Sequence, residues 1–237
     1  MLPRSVWDEL RASAGEAMVT VRGWDWSLLQ NRAPVKPTVS EVTSPCPTKR
    51  DSYLRRVLGA RPSSPLLEKG KMVHEAFMSP FRGEEREFKE ELLKKVHEEA
   101  KLRKAIADEE GIPYKVESKL PGSVIGLSTI VKPDFLVGFM PVELVYGWNG
   151  NVERKKLALA AYALVIEAWT GLPIDAGVVI NVNDQGIKYV LVRIGDYYRR
   201  KFLEERDYLA SILSRKEDPG RAESCPNYCP FAEVCKQ

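Results

Sequence analysis

Leu66, Leu67, Gly70, Val73 and Phe77 recur at the spacing of one helical face, which predicts a helix from Ser64 onward with His74 at the edge of its apolar stripe. A longer helix is expected over Glu84–Glu110. Phe88, Leu92, Leu93, Val96, Ala100 and Ile106 form its inner side, Glu and Lys crowd the outer side with His97 facing solvent, and Gly111-Ile112-Pro113 stops it. The period then changes. Residues 114–120, 123–131, 134–139 and 142–146 are short runs of β-branched and aromatic residues separated by Pro-Gly, Lys-Pro and Met-Pro, which predicts a meander of three or four antiparallel strands. Val152–Trp169 is apolar on nearly all sides after Leu157, as in a helix buried against a sheet, and Thr170-Gly171 closes it. Two more strands, Ile174–Val182 and Gly186–Ile194, flank a turn at Asn183. Asp196–Arg215 then reads as an amphipathic helix with Tyr197, Phe202, Leu209 and Leu213 inward and Arg199, Arg200, Lys201 and Arg206 outward. The fold class is therefore mixed α/β.

The two ends are less regular. Trp7, Trp24 and Trp26 in the first segment are expected to dock it onto the body by simple burial. Thr48 can cap a short helix bearing Lys49, Arg50, Arg55 and Arg56, which reads either as a phosphate-contacting face or as a solvated one. The organisation expected is an N-terminal segment 1–63, a core 64–215 and a small C-terminal segment 216–237.

Composition narrows the function classes. At 237 residues and 26.8 kDa, with 44% hydrophobic and 29% charged residues, the chain can bury a substantial core and is not generally disordered. No apolar run approaches the roughly 20 residues of a membrane span, and the N-terminus lacks a secretory apolar core, so the expected location is the cytoplasm with no membrane partner. A net charge of +3, from 36 basic and 33 acidic residues, is too small to signal nucleic-acid binding by itself. Only local patches could matter.

Three features carry candidate chemistry. The stretch Lys132–Gly147 reads as a hairpin with Asp134 at its opening and Glu143 inside its second strand. Carboxylates amid strand-forming residues are costly to bury unless a partner, commonly a divalent cation, neutralises them. His74 is either a satisfied core histidine or a ligand to such a cation. Cys225, Cys229 and Cys235 form a compact trio, with Cys46 far upstream. In a cytoplasmic protein this set reads as an iron–sulfur cluster, a zinc site or unmetallated thiols, and the distant fourth cysteine is easier to fit around a larger cluster.

Taken together, Arg22-Gly-Trp24, Cys46-Pro-Thr-Lys-Arg-Asp51, Gly70-Lys-Met-Val-His74, Pro133-Asp134, Pro141-Val-Glu143, Leu157–Leu164 and the terminal cysteine trio resemble the RecB-like branch of the PD-(D/E)xK nuclease superfamily. More narrowly, they resemble the four-cysteine CRISPR-associated exonucleases, in the archaeal accessory branch found beside type I-A systems. The resemblance implies a restriction-endonuclease-like core with a central mixed sheet flanked by helices, and an iron–sulfur cluster, expected as [4Fe–4S], on Cys46, Cys225, Cys229 and Cys235. It further implies a Mn²⁺ or Mg²⁺ ion on His74, Asp134, Glu143 and the main-chain carbonyl of Leu144, with His74, Asp134 and Glu143 catalytic. The activity implied is metal-dependent exonucleolytic trimming of prespacer DNA. The partners implied are single-stranded or overhanging DNA ends, CRISPR integrase subunits and a paralogous exonuclease.

Two positions depart from that pattern. The motif lysine belongs two residues after Glu143, where Val145 stands, and a glutamine belongs four residues before Tyr162, where Ala158 stands. A preorganised lysine facing the attacking water and the scissile phosphate is worth roughly 10²–10³ in rate. Lys132, Lys155 and Lys156 are candidates to replace it. The alternative readings are a catalytically weak DNA-binding subunit of the spacer-acquisition machinery and a zinc-stabilised interaction module.

Overall fold

A computed structural model describes residues 32–147, 152–225 and 229–236. Trp7, Trp24, Trp26 and the Arg22-Gly-Trp24 motif lie outside the described residues. Two short helices, α1 (Val39–Val42) and α2 (Arg50–Arg56), precede the long helices α3 (Pro65–Arg82) and α4 (Glu91–Glu109). The strands β1 (Tyr114–Val116), β2 (Leu120–Pro121), β3 (Ile130–Val131), β4 (Phe135–Val137) and β5 (Met140–Tyr146) lead into helix α5 (Val152–Thr170). β6 (Ala176–Asn183), β7 (Gly186–Arg193), α6 (Asp196–Arg215) and α7 (Ala232–Lys236) complete the chain.

Five strands form one mixed sheet in the order β1-β4-β5-β6-β7. β5 and β6 run parallel, joined by α5 as a crossover, and the other pairs are antiparallel. Side chains alternate across β5. Val142, Leu144 and Tyr146 pack with Val73, Phe77, Leu93 and Val96 of α3 and α4, while Val145 packs with the cluster built by α5 and α6. The carboxylate-bearing strand is thus sandwiched between two helical layers, and either layer can send side chains to it.

Helix α3 starts where its local chemistry dictates. Ser64 Oγ accepts the Leu67 N–H, Pro65 occupies the first turn, and Gly83 in the left-handed region (φ 74°) ends it. α4 begins at Glu91 rather than Glu84, because Glu84 is held outside the helix: its N–H donates to Ser79 O and its carboxylate pairs with Arg82 and Arg86. His97 is buried, not solvent-facing. Its Nδ1 lies 3.0 Å from Ala76 O and its ring rests against Phe88 at 5.2 Å, so it pins α4 to α3 despite its charged sequence neighbours.

The expected strand over 123–131 is mostly a 3₁₀ turn (Gly122–Ile125), and only β3 survives, paired with β2 in a separate hairpin. Gly122 permits this: a Cβ there would sit 2.3 Å from Ser128 O, a contact no other residue could make. β1 stops at Val116 because Glu117 turns to positive φ (47°). Thr48 does not cap α2. Its hydroxyl donates to Gly220 O at 2.9 Å, and Lys49, in the left-handed region, precedes the helix instead. Lys49 is buried, with Nζ donating to Val42 O, Ser44 O and Glu205, while Arg50 pairs with Asp218 and Arg56 with Glu41.

On α6, Tyr197 is 64% exposed, whereas Arg199 and Arg206, expected outward, are 0% and 2% exposed. Each finds a buried acceptor that helical periodicity cannot reveal: Arg199 meets Glu167 of α5, and Arg206 donates to Ile125 O.

α5 lies very close to the sheet at Gly177 of β6. A Cβ there would stand 2.9 Å from Leu159 Cδ2 and 3.0 Å from Pro141 O. Gly177→Val is therefore expected to destabilise the fold by about 1–3 kcal/mol through overpacking, measured as a fall in denaturant midpoint.

Candidate active site

Three elements converge beside the middle of β5. α3 brings His74, the turn before β4 brings Asp134, and β5 brings Glu143. His74 Nε2 lies 2.9 Å from Asp134 Oδ1, and the Leu144 N–H donates to Asp134 Oδ2 at 2.7 Å. The main chain of β5 thus holds the carboxylate supplied by the preceding turn. Glu143, one residue before that amide, points to the opposite layer, where Lys155 Nζ of α5 lies 3.3 Å from its Oε2. Tyr162, two helical turns further along α5, donates to Lys132 O at 3.3 Å and also engages Glu143.

Electrostatics reflect two carboxylates crowded into a half-dry site. Burial, reinforced by the neighbouring charge of Asp134, pushes the Glu143 carboxyl up, and Lys155 and Tyr162 only partly oppose this. The hydrogen bond to Asp134 raises His74 against the opposing effect of burial, with Glu117 adding and Arg82 subtracting. Burial and the charges of Glu143 and Asp134 push the Tyr162 hydroxyl well above its usual value, so it remains a donor. Both His74 and Glu143 thus hold their protons more tightly than free side chains do, Glu143 chiefly because it is buried and His74 chiefly because of its hydrogen bond to Asp134.

The sequence-expected set His74, Asp134, Glu143 and Leu144 therefore lies together. Among the described residues, however, no three His, Cys, Asp or Glu side chains are gathered as ligands about one point, and His74 and Asp134 face each other as a hydrogen-bonded pair. The donor types suit a hard divalent ion: one imidazole, two carboxylates of which Glu143 is 9% exposed, and an adjacent main chain. Of the lysine candidates, Lys132 is exposed and contributes its carbonyl, Lys156 pairs with Glu153 and the Tyr198 hydroxyl, and Lys155 pairs with Glu143 of the site.

Sequence reasoning missed Asn181. It pairs in register with Val145, is buried, and its Oδ1 accepts no hydrogen bond among the described residues. An asparagine inside the apolar run Val178–Val182 was the available signal.

Comparison with known proteins bears on this arrangement. A sequence profile described as "CRISPR-associated exonuclease Csa1" matches residues 4–109 and 92–237, nearly the whole chain. The chain belongs to this family. A relative of that description from Thermoproteus tenax is 31% identical over 276 aligned positions, covering 95% of both proteins. Another, from Saccharolobus solfataricus, is 32% identical over 128 positions, or 52% of this chain and 44% of the relative. Among solved structures, an alkaline exonuclease from Laribacter hongkongensis superposes with a TM-score of 0.43 at 12% identity, covering 80% of this chain and 93% of that one.

In this Csa1-family chain the cysteine-bearing ends also meet. Thr48 donates to Gly220 O, Arg50 pairs with Asp218, and Arg50 Nη1 reaches both Cys235 O at 2.9 Å and Cys235 Sγ at 3.2 Å. Phe231 and Cys235 bury against Tyr53, Leu54 and Ile212, with Cys229 at the margin. Burial pushes the Cys229 thiol up, a hydrogen bond from the Phe231 main chain opposes, and Cys225 and Cys46 raise it further. Sulfur donors are the type a cluster or zinc takes, but among the described residues no three of these thiols are gathered about one point. Among the described residues no helix is long and apolar enough to cross a membrane.

Proposed function

We propose that this Csa1-family chain is a metal-dependent DNA exonuclease of the PD-(D/E)xK type that trims prespacer ends during CRISPR adaptation. The observation that supports it most is the chain of contacts His74–Asp134–Leu144 N–H set beside the buried Glu143. His74, Asp134, Glu143 and the Leu144 carbonyl would hold Mn²⁺ or Mg²⁺, which when bound activates water and neutralises charge on the scissile phosphate. The residues themselves do the positioning. The Leu144 amide fixes the rotation of the Asp134 carboxylate, and α5 holds Glu143 through Lys155 and Tyr162. Cys46, Cys225, Cys229 and Cys235 would hold an iron–sulfur cluster, expected as [4Fe–4S], that ties the two chain ends together. Single-stranded or overhanging DNA, integrase subunits and a paralogous exonuclease of a type I-A system are the partners this reading assigns.

A second reading, a catalytically weak DNA-binding subunit, is favoured by Val145, which is packed among apolar residues where the motif lysine belongs. Anaerobic purification followed by a Mn²⁺-dependent assay on single-stranded and overhanging DNA separates the two. The expected result is a brown protein that degrades the DNA, with cleavage abolished in Asp134→Ala. Wild-type protein that leaves the DNA intact overturns the exonuclease reading, and a colourless protein with stoichiometric zinc overturns the cluster.

A further inference from the structure

We propose that Lys155, presented by helix α5, supplies the active-site cation that the nuclease motif would place at Val145 on β5. The inference rests on the exonuclease reading above and assigns a residue to a role that reading leaves open.

A lysine two positions after Glu143 would project from the same face of β5, roughly 7 Å further along the strand. α5 crosses that face. Its residues Lys155, Ala158 and Tyr162 are three and seven apart, which places them on one helical stripe. Both ends of the stripe address Glu143: Lys155 through its ammonium 3.3 Å from Oε2, and Tyr162 through its hydroxyl. Between them Ala158 ends at its Cβ, so no long side chain from that position separates lysine and tyrosine.

The neighbouring basic residues are committed elsewhere. Arg154 pairs with Glu205 at 2.7 Å, and Lys156 pairs with Glu153 and the Tyr198 hydroxyl, both at 3.0 Å. Lys155 is partly buried and reaches Glu143. Its Glu143 partner is the residue from which the motif lysine is counted. An ammonium reaching that carboxylate from the helix can occupy the space that a strand lysine reaches from below, and a transition state gaining negative charge responds to where the charge lies rather than to which element carries it.

The bland alternative is that Lys155 is only a counterion for Glu143. The two differ in what a lysine at position 145 would do. A mere counterion cannot be replaced from there, whereas a misplaced motif lysine can. The strand is prepared for the exchange: Asn181, in register with Val145, carries a buried Oδ1 that accepts no hydrogen bond among the described residues and could receive an ammonium.

The test uses full-length, anaerobically purified wild type, Asp134→Ala, Lys155→Met, Lys155→Gln and the Lys155→Met/Val145→Lys double variant. Mn²⁺ affinity is read by electron paramagnetic resonance titration, and cleavage by single-turnover assay on single-stranded DNA. Removing the ammonium is expected to tighten Mn²⁺ binding several-fold, because a like charge leaves the site, while cleavage slows by roughly 10²–10³. Lys155→Gln keeps a hydrogen-bond donor without charge and should behave the same way, which guards against a misfolded methionine variant. Val145→Lys in the Lys155→Met background should restore at least about tenfold of the lost rate and weaken Mn²⁺ binding again. Wild-type cleavage by Lys155→Met, with Asp134→Ala dead, overturns the assignment and leaves the exonuclease reading standing. Weaker Mn²⁺ binding in both Lys155 variants, without recovery from position 145, reduces Lys155 to a support for Glu143. Wild-type protein that binds Mn²⁺ without cutting overturns the exonuclease reading and the catalytic role of Lys155 with it.

Discussion

Glu143→Gln is expected to cut DNA at least ~10³-fold more slowly than wild type while making the metal-free protein more stable. The two effects have one cause. Burial and the adjacent Asp134 raise the Glu143 carboxyl above its usual range. A carboxyl raised by folding stabilises the fold below its unfolded value, and that contribution is lost as pH rises through the folded value. Metal-free wild-type stability should therefore decline as pH climbs above the ordinary carboxylate range, and the glutamine variant, which has no charge to bury, should not follow it. Bound Mn²⁺ should reverse the ranking, stabilising wild type and sparing the variant. Thermal melts across that pH window, with and without Mn²⁺, together with the DNA assay, check each part. A glutamine variant with the same pH slope as wild type would show that Glu143 is not the strained group.

Arg199→Met is expected to destabilise the fold by about 3–5 kcal/mol. Arg199 and Glu167 are both fully buried, joined at 2.7 and 3.2 Å across α6 and α5. The pair is also a chain clamp. Arg199 donates to Ile174 O at 2.6 Å and to Ile194 O, and Glu167 accepts the Ile174 N–H at 2.8 Å, so the segments entering β6 and leaving β7 both end on it. Removing the guanidinium leaves a buried carboxylate and two carbonyls without this donor. Adding Glu167→Leu should relieve the stranded charge. It should not restore full stability, because the same main-chain groups still lose their partners, at about 1–3 kcal/mol each. Denaturant midpoints of the two single variants and the double variant measure this. Full recovery in the double variant would mean that the pair acts alone and the main-chain contacts contribute nothing.

The site and this clamp differ in how far the chain revealed them. Asp134 and Glu143 stand out because a carboxylate within β-branched and aromatic neighbours conflicts with its surroundings, and such conflict is readable residue by residue. The helix over 196–215 and the apolar helix before β6 were equally legible, since burial on one face or on all faces leaves a periodic trace. Arg199, Arg206 and His97 were misread for the complementary reason. Their burial is made affordable by partners between 18 and 81 positions away in the chain, which no local pattern records. The strand expected over 123–131 failed because β propensity cannot see that Gly122 must pass under Ser128.

Local side-chain chemistry was enough to define the mixed α/β class, the two carboxylates and the compact cysteine trio, because each depends on residue type and near spacing, whereas the role of His74 and the lysine position at Val145 came only from the family resemblance. Which lysine faces Glu143, which arginines are buried and which cysteine is covered depend on where α5 and α6 cross the sheet and where the terminal segment packs. Those distances arise from packing between segments far apart in the chain, and they exist only once the layers have assembled.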